Sequence, residues 1–212
     1  MLNLPSSTEF GRRVPKQKFY EHLDVSPEVK RLFIDQIKLI TWANKLSPQT
    51  MNLGAGQTAT EIEVFHIRLT GQELDKRTLE LMDRQIPYHI LFVLERPDGQ
   101  MQLRISYKEA AQSGDNAFRL RQSYATEFAP PENLTLPLDA LDMDSLYASI
   151  VRAIAGDALS APEQPLEQAV AQAQEKEKLQ RQIAQLKAKM KKEKNLGKQM
   201  ELRRAIRRLE DG

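Results

Sequence analysis

The chain has 212 residues, a net charge of +2 and no cysteine. The lack of cysteine excludes disulfide bridges, thiolate zinc sites and cysteine nucleophiles. The sequence does not open on a basic segment followed by a long apolar one. Its longest apolar run, Ile90 to Leu94, is far shorter than the ~20 residues of a membrane-spanning helix. We therefore expect a soluble, cytoplasmic protein that does not bind a membrane.

The first quarter of the chain predicts helices. Residues 1–14 are polar and predict an irregular arm. A helix with a capping serine at Ser26 and a proline at its first position follows, and it is expected to end before Ser47 and Pro48. Val29, Phe33, Ile37 and Ile40 repeat at helical spacing in this helix, and Leu32, Leu39 and Trp42 join them. A short amphipathic helix carrying Phe19, Tyr20 and Leu23 is predicted between the arm and this helix.

The middle of the chain predicts a sheet. Apolar runs and alternating apolar and polar residues indicate strands, and Pro97-Asp98-Gly99 indicates a hairpin turn. The predicted strands are 61–69, 88–95, 101–108 and 118–124, and the predicted helices are 72–85 and 141–155. This order favours an α+β fold, a single domain with a mostly antiparallel sheet of about four strands packed with helices.

The last 47 residues have a different charge from the rest. The segment 166–212 carries 13 basic and 7 acidic side chains, whereas the remaining residues carry 18 basic and 22 acidic ones. The sequence thus predicts an α+β domain over 1–159, a proline-containing linker over 160–165 and a basic helical tail over 166–212. The tail is expected to be a coiled-coil extension, either one bent helix or a hairpin that folds at Gly197.

Apolar residues in the tail recur at steps of three and four, which is the seam of a coiled coil. Such a short seam needs a partner, either another protein or a second copy of the chain, because isolated helices of ~12–15 residues are marginal in water. The alternative is a solvated helix with a weak self-association stripe. The predicted partner-binding residues are Leu179, Ile183, Leu186, Met190, Leu202, Ile206 and Leu209.

Basic residues in the tail could instead neutralise nucleic-acid phosphates without reading sequence. The tail has no aromatic residue for stacking on bases, so single-strand recognition lacks support. Arginines on two predicted strands could add a positive patch together with Lys108, or could face solvent beside acidic residues. The candidate nucleic-acid-binding residues are Lys187, Lys191, Lys194, Lys198, Arg203, Arg204, Arg207, Arg208, Arg104, Arg119 and Arg121.

The sequence shows no pattern that commits to a reaction. A restriction-type nuclease would place an acidic residue two positions before Lys108, but Ser106 stands there. The carboxylates of such a nuclease site could instead come from Glu61, Glu63 and Glu95. The three histidines, His22, His66 and His89, are not spaced as a pair of ligands, and Gly54-Ala55-Gly56 lacks the lysine of a phosphate-binding loop. We therefore predict no catalytic residue, no metal ligand and no cofactor.

Six short strings of the sequence, at 4–9, 14–20, 61–65, 86–92, 106–109 and, in the tail, 192–202, are taken together. With these strings the chain resembles a bacterial family known only as a domain of unknown function. Members of that family tend to be encoded beside DNA methyltransferases and Snf-type helicases, in restriction-like or antiphage gene clusters. The family has no established catalytic residues.

Three functions therefore remain open. The resemblance implies a non-catalytic accessory or adaptor subunit of a restriction or phage-defence complex, with the tail binding a helicase, a DNA methyltransferase or a second copy of the chain. The basic tail alone would suit a sequence-nonspecific DNA-binding module. A magnesium-dependent nuclease, or a decayed nuclease-like domain, is the third alternative, and Ser106 argues against the active form.

Overall fold

A six-stranded sheet with its strands in chain order forms the centre of the first of two units in this computed structural model. The structure describes residues 2–21, 25–110, 118–159 and 164–210. The first unit spans Met1–Ser160 and the second Ala161–Gly212. The strands are β1 (Glu9–Val14), β2 (Ile37–Leu46), β3 (Ile62–Leu69), β4 (His89–Glu95), β5 (Met101–Ala110) and β6 (Phe118–Ala125). The helices are α1 (Pro27–Gln36), α2 (Pro48–Met51), α3 (Lys76–Gln85), α4 (Met143–Ala155), α5 (Leu166–Lys192) and α6 (Leu196–Glu210).

The sheet is mixed because one neighbouring pair, β3 and β4, runs parallel. The other four pairs are antiparallel. Parallel neighbours need a crossover connection, and α3 supplies it between β3 and β4. These two strands lie in the middle of the sheet and are buried along almost their whole length. The α+β class is confirmed, and the predicted number of about four strands is too low.

The two additional strands come from the segment that was expected to be an arm and a long helix. Helix α1 begins as predicted, with Ser26 accepting a hydrogen bond from the Val29 backbone N–H, but it ends at Gln36. From Ile37 to Leu46 the chain is β2, which pairs with β1 on one side and β3 on the other. This stretch is rich in β-branched and aromatic residues, which favour strands, and its apolar spacing suits either structure. Residues 37–46 therefore form a strand because they pair with both β1 and β3.

Helices cover both faces of the sheet. One face carries Phe65 and Phe92, which belong to a buried cluster with Phe33 of α1 and Met82 of α3. Neighbouring residues of a strand point to opposite faces, so His89 and Leu91 lie on the other face. That second face is covered by α4, whose Tyr147 stacks on His89. The first unit thus has three layers: helices α1 and α3, the sheet, and helix α4.

The second unit is a helical hairpin. Helices α5 and α6 are separated by residues 193–195 and pack against each other. Lys187 and Glu210, which are far apart in sequence, form an ion pair with Nζ and Oε1 2.8 Å apart. In the turn, the Glu193 carboxylate accepts hydrogen bonds from the backbone N–H groups of Lys194 and Asn195. The chain reverses just before Gly197, and the pairing of two helices of one chain leaves the predicted coiled coil unconfirmed.

The described helices include none that is both long and apolar enough to cross a membrane.

Candidate functional site

The seam residues of the tail lie at intermediate or low exposure, while their neighbours along both helices are exposed. Ile206 is buried, and the other six predicted partner-binding residues are half-buried. This pattern is typical of a helix face turned towards another helix. We infer that much of the seam is used inside the hairpin, between α5 and α6.

The tip of the hairpin exposes two large apolar side chains instead. Leu196 is 72% exposed and Met200 is 53% exposed. They are four residues apart on α6, so they lie on the same face of the helix. A groove of about 630 Å³ lies close by, and its lining consists of Lys189, Lys192, Lys198, Glu193, Glu201 and apolar atoms of Leu202 and Ala205. The tip therefore combines exposed apolar surface with a groove in which lysines outnumber glutamates by one.

The predicted nucleic-acid-binding residues of the tail are all exposed. Between residues 187 and 208 there are ten basic and two acidic side chains. Lys187 is paired with Glu210, and the described residues offer no other ion pair to the basic residues of this stretch. The predicted tail residues that lie on this surface are Lys187, Lys191, Lys194, Lys198, Arg203, Arg204, Arg207 and Arg208.

The basic residues of the sheet do not form one positive patch. Lys108 is buried on the face that carries α3. Arg121 on β6 pairs with Glu109 on β5, with Nε and Oε2 2.6 Å apart, and Arg119 lies opposite the same glutamate in the strand register. Arg104 is half-buried. The arginines of β5 and β6 thus have different surroundings, and two of them lie beside an acidic residue.

Lys108 belongs to a buried charge network that joins α3 to β5. Its ammonium lies 3.1 Å from Asp83 Oδ1 and donates to the backbone carbonyl oxygens of Asp83 at 2.9 Å and Tyr88 at 2.6 Å. Asp83 Oδ2 accepts a further hydrogen bond from Ser106 Oγ at 2.5 Å. Burial raises the pKa of Asp83, and the positive charge of Lys108 opposes that rise. Burial likewise lowers the pKa of Lys108, and the negative charge of Asp83 opposes that fall. The ammonium thus combines hydrogen bonds to backbone carbonyl oxygens with an ion pair to Asp83.

Helix α4 completes this network from the other side of the sheet. Tyr147 donates its hydroxyl hydrogen to the Ser106 carbonyl oxygen at 2.9 Å and accepts from the Lys108 backbone N–H at 3.1 Å. The ring of His89 stacks on Tyr147 with centroids 3.9 Å apart and packs near Phe118 at 4.9 Å. Burial, and then the charge of Lys108, lower the pKa of His89 to about 4. The imidazole is thus neutral at pH 7 and serves as packing.

The residues that a nuclease would need are not brought together. Lys108 faces Asp83, Glu95 Oε2 lies 2.6 Å from His66 Nε2, and Glu61 Oε2 lies 2.9 Å from Lys45 Nζ. Glu63 accepts a hydrogen bond from the Trp42 indole at 2.7 Å. Within the described ranges no three histidine, aspartate or glutamate side chains are grouped so that they could hold a metal ion. His22 lies outside the described residues.

Sequence reasoning missed a second polar cluster, in the loop that spans residues 54–59. Both carboxylate oxygens of Asp144, in the first turn of α4, accept from this loop. The donors are the backbone N–H groups of Gln57 at 2.7 Å, Thr58 at 3.0 Å and Ala59 at 2.7 Å, and the Thr58 hydroxyl at 2.8 Å. A Cβ at Gly56 would lie 2.5 Å from the Ala59 carbonyl oxygen. The loop therefore holds an anion, and the anion is the protein's own aspartate.

One signal for the buried pair was present in the sequence. Leu79, Met82 and Asp83 stand at the i, i+3 and i+4 positions of α3, so the aspartate lies on the apolar face of that helix. An acidic residue on such a face needs a buried partner. The partner itself could not be identified, because Lys108 is 25 residues away and meets Asp83 only in the folded sheet.

Comparison with known families matches residues 2–212 to the model of a domain of unknown function, DUF4391. No curated protein and no solved structure matches the chain.

Proposed function

We propose that this chain, which belongs to the DUF4391 family, is a non-catalytic accessory subunit of a bacterial restriction or phage-defence complex. Its helical tail would bind a protein partner, such as a helicase or a DNA methyltransferase. The family match agrees with the resemblance drawn from the sequence, and that resemblance is the source of the defence context.

The observation that carries the proposal is the apolar tip of the hairpin. Leu196 and Met200 remain exposed on one face of α6, although burying a leucine or methionine side chain is worth about 1.5–3 kcal/mol. Contiguous apolar patches surrounded by polar residues are typical of protein interaction surfaces, and Leu196 and Met200 adjoin on one helix face. The adjoining groove has three lysines and two glutamates, and this small positive excess would favour a partner with acidic residues.

The body of the protein supports a binding role over a catalytic one. Two of its buried ionisable side chains, Asp83 and Lys108, form an ion pair with each other, and Lys108 also donates to the backbone. A catalytic lysine or aspartate must reach a substrate, whereas the Lys108 side chain is 0% exposed and that of Asp83 is 2% exposed. These two residues fasten α3 to the sheet.

The test is affinity capture from the native host with the full-length chain, after nuclease treatment of the lysate. We expect a helicase or methyltransferase to be retained by the wild-type chain and lost from the Leu196→Asp Met200→Asp double variant. The control is Ile34→Asp, which places one such negative charge at an exposed apolar residue of α1, 49% exposed. A partner that the double variant retains would contradict the proposal, and so would loss of the partner from the Ile34 control.

DNA binding by the tail is the second candidate, favoured by the exposed basic residues that lack ion-pair partners among the described residues. We expect affinity for duplex DNA to fall steeply with salt, since each neutralised phosphate releases counterions. The Lys191→Gln Lys194→Gln Lys198→Gln variant should reduce that slope by about 2–3. The control is Lys176→Gln Lys178→Gln, on the part of α5 that also carries Glu175 and Glu177. Undetectable binding at low salt would rule this function out.

A further inference from the structure

A small pocket in the first unit contains two arginines. It lies where the parallel strands β3 and β4 end, and it has a volume of about 200 Å³. The loop after β3 contributes Gln72 and Glu73, the residue after β4 is Arg96, and β5 contributes Gln102 and Arg104. The carboxyl ends of parallel strands are a common place for ligands in sheets with crossover helices.

Two contacts orient Arg96 in this pocket. Its Nε donates to the Gln72 carbonyl oxygen at 2.7 Å, and its guanidinium carbon lies 3.5 Å from the centre of the Phe128 ring. These two contacts set the plane of the guanidinium, while the two terminal nitrogens form no ion pair with any described residue. An oriented guanidinium loses less entropy when it binds an anion than a flexible lysine does.

Arg104 supplies the second positive charge. It is half-buried and has neither a hydrogen bond nor an ion pair with a described residue. Its charge acts on Asp83 through space, but that carboxylate is already in contact with Lys108 and Ser106. A half-buried charge without a partner is unfavourable, so an anion placed beside Arg104 would be stabilised.

The pocket also contains one acidic residue, Glu73, which is exposed and forms no ion pair with either arginine. With it the pocket has one positive charge in excess. Gln102 is fixed by donating its side-chain amide to the Thr126 carbonyl oxygen at 2.8 Å, and it is a further polar group in the lining.

We infer that this pocket binds a phosphate group, with Arg96 and Arg104 as its two guanidinium ligands. The one positive charge in excess favours an anion, and the planar fork of arginine matches the geometry of phosphate oxygens. The volume suits inorganic phosphate or the terminal phosphate of a small phosphomonoester. All residues of this site belong to the first unit, so the inference does not rest on the proposed adaptor function of the tail.

The test is isothermal titration of the full-length chain with inorganic phosphate at low ionic strength, and in parallel with a nucleoside 5′-monophosphate. We expect binding that Arg96→Gln and Arg104→Gln each weaken roughly tenfold. The matched control is Arg119→Gln, an exposed arginine on β6, which should bind as the wild type does. Tighter binding of the nucleotide would identify a phosphomonoester as the ligand, and equal binding would identify phosphate itself.

A change at Glu73 separates ligand binding from folding. This residue is exposed in a loop, so Glu73→Gln should leave the fold intact and should tighten phosphate binding several-fold by removing a like charge. Absence of phosphate binding to the wild-type chain would overturn the inference. Binding that survives both the Arg96 and Arg104 substitutions, or that does not respond to Glu73→Gln, would overturn it as well.

Discussion

The buried ionisable residues of the first unit depend on specific neighbours. Lys108 and Asp83 are removed from water together, and Ser106 and two backbone carbonyl groups provide their remaining hydrogen bonds. Breaking a buried ion pair on one side is much more costly than replacing both members, because a single remaining charge has no compensation. Glu63 is buried beside Trp42 and has one oxygen with no hydrogen-bond donor among the described residues. Its stability contribution should therefore depend on pH.

We expect Lys108→Met to lower the free energy of unfolding by about 3–5 kcal/mol, because Asp83 would stay buried without its cation. The double variant Lys108→Met Asp83→Leu should lose clearly less free energy of unfolding, since neither charge remains buried. Urea unfolding of the wild type, both single variants and the double variant measures the coupling. A double variant that loses the sum of the two single losses would show that the residues act independently.

Burial raises the pKa of Glu63 from 4.5 to about 7, and a hydrogen bond from Trp42 opposes the rise. Between these values the folded state binds more protons than the unfolded state, so stability should fall as pH rises from about 4.5 to 7. Over this pH range the free energy of unfolding should fall by about 3 kcal/mol. Comparing unfolding of the wild type and Glu63→Gln from pH 4 to 8 tests this. The variant should lose this pH dependence, and an identical profile for both proteins would contradict the assignment.

At the level of elements, connections between distant segments hold the helices in place. Helix α4 is fixed at its first turn by Asp144, which accepts from the loop at 57–59. Burial would raise the pKa of Asp144, but the hydrogen bonds from Ala59, Gln57 and Thr58 together lower it. Gly54 adds two backbone hydrogen bonds, to Leu141 and from Met143. The loop and the helix are therefore one structural feature.

We expect Asp144→Ala to destabilise the first unit by about 2 kcal/mol, because the amide donors of the loop would lose their acceptor. Hydrogen exchange at Gln57, Thr58 and Ala59 should become faster, while exchange in β3 and β4 should change little. The matched control is Asp157→Ala, an exposed aspartate just after α4. Unchanged exchange at these three amides would contradict the role given to Asp144.

At the level of the whole molecule, the chain divides into two units with different sources of stability. The first unit has a buried core on both faces of a six-stranded sheet. The hairpin has few fully buried residues, which are Ala169, Val170 and Ile206 among those described. A structure with few buried apolar contacts opens more readily, because little apolar surface is lost to water on folding.

We therefore expect hydrogen exchange of the intact chain to be slowest in β3 and β4 and faster by orders of magnitude in α5 and α6. Mass spectrometry of peptides from both units measures this in one experiment. The slowest tail amides should lie around Ile206, where the side chain is buried. Tail exchange as slow as that of β4 would mean that the hairpin is stabilised by more than its own packing, for example by self-association.

The α+β class, the start of α1 at Ser26, the strands from β3 to β6 and the charge difference of the tail were all predictable from the sequence. These features depend on local composition and periodicity. The number of strands, the Asp83–Lys108 pair, the Asp144 loop and the hairpin were decided only by the tertiary structure. Residues 37–46 fit a helix or a strand equally well until β1 and β3 pair with them. Buried polar partners lie far apart in sequence, so their contacts exist only in the folded chain.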